Sequence, residues 1–199
     1  MLKNSLLLFL LLLGAIASNA QITDTTVLIK LGNFDMASLN GDSYGALLIG
    51  EQIVIDSAKL TQGIRINFFA KLAKAYDETE QNDKAIIYYQ KVAAAAPDYF
   101  VVQRALGMLY NEQAEDIQLK LFRLAPNDPS YKTVSENYQN AVHKALPLLE
   151  KAQACDPDDD TLDLIETLYQ NIGDEAGLNS FKQRLPELAA RCVDLLDDK

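Results

Sequence analysis

The chain has 199 residues, 49% of them hydrophobic, with 28 acidic against 18 basic side chains and a net charge of -10. That length is enough for one domain with a continuous core, while the acidic excess repels phosphate backbones and argues against nucleic acid or an anionic membrane as the main partner. One histidine and two cysteines are a poor stock for a metal centre.

Lys3, the apolar run Leu6 to Leu13 and the small residues Ser18-Asn19-Ala20 have the form of an export signal cleaved before Gln21. Residues 1–20 are therefore predicted to be a signal peptide and 21–199 the folded domain. The run is shorter than the roughly 17 to 25 residues a retained anchor needs, and no Cys follows it to mark a lipoprotein. The mature chain is expected in the periplasm or associated with the envelope, without a transmembrane segment.

A first helix is predicted from Thr26 to Leu39, with Val27, Leu28, Leu31 and Phe34 on its apolar side. Asn40-Gly41-Asp42-Ser43 punctuates it, and Tyr44 to Ala58 reads as its partner, with Gly50 permitting close approach. In the next stretch, Phe69, Leu72, Ala73 and Tyr76 share one helical face. A polar turn from Glu80 to Asn82 leads to a second stripe at Ala85, Tyr89 and Val92, which Pro97 closes. Neither wide apolar face is stable alone, so this 34-residue unit must stack on others like it.

From Phe100 the pattern restarts, with Leu106, Gly107 and Tyr110 recurring 34 residues after Leu72, Ala73 and Tyr76. The period then breaks. Leu119 stands where a small residue is expected, and Tyr131 where the closing proline would be. Ala114, Ile117, Leu121 and Leu124 instead run on to Ala125-Pro126-Asn127-Asp128-Pro129. Residues 100 to about 124 are predicted to be one elongated helix, or a helix with a kinked extension. A further helix, capped by Asp128 or Ser130, carries the stripe Val134, Tyr138, Ala141, Ala145, Leu148, Leu149 and Ala152, with Pro147 inside it as a source of a kink. Asp158 to Thr161 cap the next helix, whose apolar side is Leu162, Ile165, Leu168, Tyr169 and Ile172. Glu175 to about Leu195, interrupted by Pro186, is predicted to be one kinked helix or two short ones, ending in the solvated acids Asp194, Asp197 and Asp198.

Cys155 continues the stripe through Ala145, Leu148 and Ala152, and Cys192 the stripe through Phe181, Leu185 and Leu188, so both are expected to face the core. An oxidising compartment would permit a Cys155–Cys192 disulfide between the terminal hairpin and the one before it. With no distance to join them, two separate buried thiols are the favoured state.

Residues 66–99 resemble a tetratricopeptide repeat. Phe69, Leu72, Ala73 and Tyr76 match the family's first helix, and Ala85, Tyr89 and Pro97 its second, with Val92 where Ala is usual. Gly41 and Ala46, and Tyr169, Gly173 and Leu178, carry the family's turn spacing. Ala145 to Ala152, ending at Asp156-Pro157, resembles a variant frequent in exported repeat proteins of the Bacteroidetes, in which an insertion expands one repeat. The resemblance implies an all-α fold, a right-handed superhelix (α-solenoid) of stacked antiparallel helix pairs. About four units are expected, at approximately 26–60, 66–99, 100–157 and 159–195. It also implies that Asn67, Ala70, Lys74, Asp77 and Glu78, then Val101, Arg104, Met108, Asn111 and Glu112, line the inner surface of the superhelix. Lys74, Arg104 and Asn111 would then hold carbonyls or a carboxylate of an extended peptide. Ala70 stands where clamps for the acidic tails of heat-shock chaperones carry Lys or Asn.

Candidate chemistry is sparse. His143 has no nucleophile at helical spacing and reads as a surface residue. Asp156 to Asp160 lack the alternating ligands of a calcium loop, and Gly173 and Gly177 lack a phosphate-cradling context. The expected function is a non-catalytic adaptor or assembly module of the bacterial envelope, binding a protein or extended peptide and needing no cofactor. The alternative is a structural or accessory component of an outer-membrane or carbohydrate-uptake complex; an enzyme is the disfavoured class.

Overall fold

In the computed structural model, residues 25–196 are described; the predicted signal peptide lies outside them. Their helices are α1 (Thr25–Leu39), α2 (Ser43–Asp56), α3 (Gln62–Glu78), α4 (Asn82–Ala95), α5 (Phe100–Leu121), α6 (Tyr131–Cys155), α7 (Asp159–Asn171) and α8 (Glu175–Leu188). They stack as four antiparallel pairs, α1–α2, α3–α4, α5–α6 and α7–α8. None of these helices is long and apolar enough to cross a membrane.

Three of the four pairs turn the same way. The carbonyls of Ala37, Tyr76 and Tyr169 accept from the backbone N–H five residues on, at Asp42, Gln81 and Asp174, over 3.0, 2.9 and 3.0 Å. This is the pattern of a helix terminated by one left-handed residue. That residue is Gly41 (φ 72°), Glu80 (φ 58°) or Gly173 (φ 70°). In the outer two turns the next residue also caps the following helix, Asp42 accepting from Gly45 N and Asp174 from Gly177 N, both at 2.8 Å. A single short motif thus sets both the reversal and the start of the second helix.

The core follows the repeat. Leu72, Ala73 and Tyr76 of α3 and Leu106, Gly107 and Tyr110 of α5 are all buried, as are Ala85, Tyr89 and Val92 of α4 and Ala145, Leu149 and Ala152 of α6. Gly107 sits where α3 has Ala73, and the reason is local. A Cβ there would lie 2.8 Å from Leu149 Cγ, so the absent methyl is what lets α6 approach α5. In α3, Phe68 is fully buried, edge-on to Phe34 at 5.1 Å, while Phe69 is only partly buried beside Tyr88. Phe34 is buried between α1 and α3.

The α5–α6 pair departs from the others. The last buried residue of α5 is Ala114 and the first of α6 is Tyr138, so residues 115–137 form an arm without a buried side chain. Leu119 and Phe122 are exposed on it. Both helices are continuous; Pro147 lies on the exposed side of α6.

Two expectations fail at the end of the chain. Only Glu175–Leu188 is helical, with Pro186 in the last turn, and residues 189–196 are not. Cys192 therefore lies beyond the helical stripe and is exposed rather than core-facing. The two cysteines are not separate thiols: Cys155 and Cys192 are disulfide-bonded with their Cα atoms 5.5 Å apart. The physical reason is the polar anchorage of this stretch. Lys151 Nζ donates to the carbonyls of Leu188 (2.9 Å) and Arg191, ending α8 and drawing the following residues toward the end of α6.

Candidate functional site

A groove runs between α3 and α5. Asn67, Ala70, Lys71 and Lys74 form one wall, Val101, Val102 and Ala105 the other, and Tyr89 and Tyr99 contribute at the base and end. Successive units of the stack place α3 and α5 on the two sides of the groove, with the small residues Ala70 and Ala105 among its walls. Residues beyond α8 also line this groove, leaving about 240 Å³ open. Val193 forms an isolated parallel bridge with Tyr99, its N–H donating to Asp98 O (2.8 Å) and its carbonyl accepting from Phe100 N (3.1 Å). Leu195 and Leu196 then lie along the groove, and Asn67 Nδ2 donates to Leu196 O at 3.3 Å.

Of the ten residues expected to line an inner surface, four meet in this groove, Asn67, Ala70, Lys74 and Val101. Lys74 is largely exposed and pairs with Glu78 one turn along. Asp77 faces Tyr89, and burial pushes its carboxyl above the ordinary range, against the opposing pull of the Tyr89 hydroxyl and Lys74. Burial also drives the Tyr89 hydroxyl well above its usual value, with Asp77 adding to the effect.

Arg104, Met108 and Asn111 are used internally. Arg104 clips α5 to the end of α6, Nη1 donating to Asp156 Oδ2 (2.9 Å) and Nη2 to the Asp156 carbonyl (2.5 Å), while its Nε is buried without an acceptor. Met108 is partly buried against the core. Asn111 is buried and donates to Glu115 Oε1 at 2.7 Å. Farther along α5, Glu112 is held above the carboxylate range first by burial, then by Asp77 and Glu115, with the amide of Asn82 opposing at 2.8 Å.

A second cavity, of 480 Å³, lies between the start of α5, α6 and the end of α8. Its cations are already matched. Lys151 serves the two carbonyls and lies 3.5 Å from Asp98, Arg191 is 3.7 Å from Asp98, and Arg184 grips Glu150 with both oxygens at 2.9 and 2.7 Å. Glu150 also accepts from Tyr169, and burial together with that hydrogen bond pushes the Tyr169 hydroxyl up to about 12. The buried carboxylate, the phenol and the half-exposed guanidinium join three helices; Tyr169 belongs to the predicted apolar stripe, but Glu150 and Arg184 were not singled out from sequence. Leu146, Leu149 and Gln153 bracket Glu150 at core spacing, which is the signal that finds it.

His143 is exposed on α6. Among the described residues, no three His, Cys, Asp or Glu side chains gather in a way that could hold a metal ion. No family model, curated protein or solved structure matches the chain.

Proposed function

We propose that the chain is a tetratricopeptide-repeat-like adaptor of the bacterial envelope, a right-handed superhelix whose inner surface binds an extended segment of another protein without catalysis. The observation that carries this reading is the groove between α3 and α5, along which the non-helical residues Leu195 and Leu196 lie, with main-chain hydrogen bonds between Val193 and residues 98–100 just beyond its end. Strand-like main-chain pairing supplies affinity to any extended peptide, and pockets beside it supply choice. The disulfide supports export, because such bonds persist in oxidising compartments.

Selection of displayed peptides on the immobilised protein tests the groove. Selected sequences should lose binding to Ala70→Arg, which fills the groove wall, and weaken on Lys74→Glu. Peptides that bind Ala70→Arg as well as the parent would remove the groove from the proposal.

One observation favours the accessory-subunit reading. Ile29, Met36, Leu48 and Ile55 of the first pair are more than half exposed, an apolar display that suits a component of a larger assembly. Sedimentation with purified envelope complexes, compared between the parent chain and Leu48→Asp/Ile55→Asp, separates that reading from a free adaptor.

A further inference from the structure

We propose that residues Val193–Leu196 are the groove's own ligand in cis, and that a partner segment of the same chemistry, a Leu-Leu pair between acidic residues, binds only by displacing them. The inference rests on reading the groove as a binding surface.

Three observations carry it. The first is the mode of contact: one parallel bridge through Val193, with a donor and an acceptor both satisfied by residues 98–100. Main-chain pairing of that kind does not depend on the side chains of the paired strand, so it is open to another strand. The second is side-chain recognition. Leu196 packs against the core and Asn67 donates to its carbonyl; Asp194 and, in sequence, Asp197 and Asp198 flank the leucines, while the groove's Lys71 and Lys74 are paired with Asp35 and Glu78.

The third is how lightly the segment is held. Val193 is 38% and Leu195 79% exposed, and among the described residues Leu196 is its one member packed against the core. It stays in place because its anchor is adjacent: Cys192, bonded to Cys155, is the residue immediately before it. Tethering converts a weak contact into an occupied one by raising the effective concentration to the millimolar range or above. A competing segment therefore sees its apparent affinity reduced by the fraction of molecules whose groove is open.

The test keeps the disulfide and removes the ligand. A chain ending at Cys192 is compared with the full chain for binding of a fluorescein-labelled synthetic peptide of residues 193–199, by anisotropy, with helical circular dichroism as the check on folding. The shortened chain should bind the peptide about tenfold or more tighter than the full chain does. The peptide carrying Leu196→Asp should not bind. The full-length Leu196→Asp protein, with its own segment disfavoured, should bind the unmodified peptide as the shortened chain does. Equal binding by the folded shortened and full chains overturns the inference.

Peptides selected by display separate this failure from failure of the binding surface itself. If they bind both chains equally, cis occupancy is refuted and the adaptor reading stands. If the folded shortened chain binds neither them nor the tail peptide, both are refuted.

Discussion

Replacing both cysteines, Cys155→Ser with Cys192→Ser, removes a cross-link whose ends are 37 residues apart in sequence and which encloses α7 and α8. In the chain-entropy account a loop of that length gives up about 3.8 kcal/mol of unfolded-state freedom at 25 °C when it is closed. The whole amount should not be lost. Residues 189–196 make few contacts beyond Lys151, the single bridge and Leu196. Once untethered they fray in the folded state and recover entropy there, at about 1–2 kcal/mol for each residue released, less the contacts given up. The expected fall in unfolding free energy is therefore about 2–3 kcal/mol.

Urea titration of the oxidised parent, the reduced parent and the double variant measures it, the reduced parent controlling for the serine substitutions. Native-state hydrogen exchange adds a location. In a stack whose pairs contact chiefly their neighbours, protection should fall in α7 and α8 while α1 to α4 keep theirs. A loss below about 1 kcal/mol, or one spread evenly over all eight helices, would refute the argument that the bond acts by constraining the last pair.

Three further outcomes follow from named contacts. Arg184→Met leaves Glu150, 5% exposed at its side chain, without its cation. Breaking a buried pair costs about 3–5 kcal/mol, reduced here to about 2–3 because the Arg184 side chain is itself 38% exposed. The triple variant with Glu150→Leu and Tyr169→Phe should recover most of that loss in thermal unfolding. Glu80→Gly relieves the one non-glycine residue at positive φ among those described and should stabilise by about 0.5–1 kcal/mol in urea titration. Stability should also fall at alkaline pH. The Tyr169 hydroxyl keeps its proton to about 12 in the folded chain against 10.0 ordinarily; the unfolded chain releases it first, so this stabilisation is complete below pH 10 and is lost between pH 10 and 12. Tyr76 and Tyr89, raised in the same sense by burial, steepen the loss, and Tyr169→Phe should flatten it in melts taken across that range.

How much of this was legible depended on whether a feature had a period. Leu72, Ala73 and Tyr76 declared themselves because Leu106, Gly107 and Tyr110 repeat them, and burial on one helix face is what a 3.6-residue stripe encodes. The turns at Gly41 and Gly173 were visible because glycine marks the left-handed position. Glu80 occupies the same position in the central turn without that mark. Phe68 against Phe69 was decided by a rotation of one residue about the helix axis, finer than a stripe resolves. Core spacing marks Glu150 as buried, but the pairing of long-range polar partners left no trace. Nothing in the spacing of Arg104 or Arg184 indicates that one closes on Asp156 and the other on Glu150. The same holds for residues 189–196, whose path is fixed by Lys151, Asp98 and Asn67 on three different helices or turns.

That division bears on where specificity lies. The expanded α5–α6 unit is the least regular part of the stack, and its arm displays Leu119 and Phe122 to solvent. Yet α5 serves both regions. Up to Ala114 it packs in the repeat register and forms one wall of the groove; beyond Ala114 it carries the arm. The walls of the groove thus belong to helices seated by periodic core residues such as Leu72 and Leu106. Its occupancy depends on residues past α8 that have no period and touch the core through Leu196. Substitutions at the arm should leave both untouched. Core, occupant and arm can consequently be perturbed one at a time, and a partner's response to each assigns its contact to the regular scaffold or to the insertion.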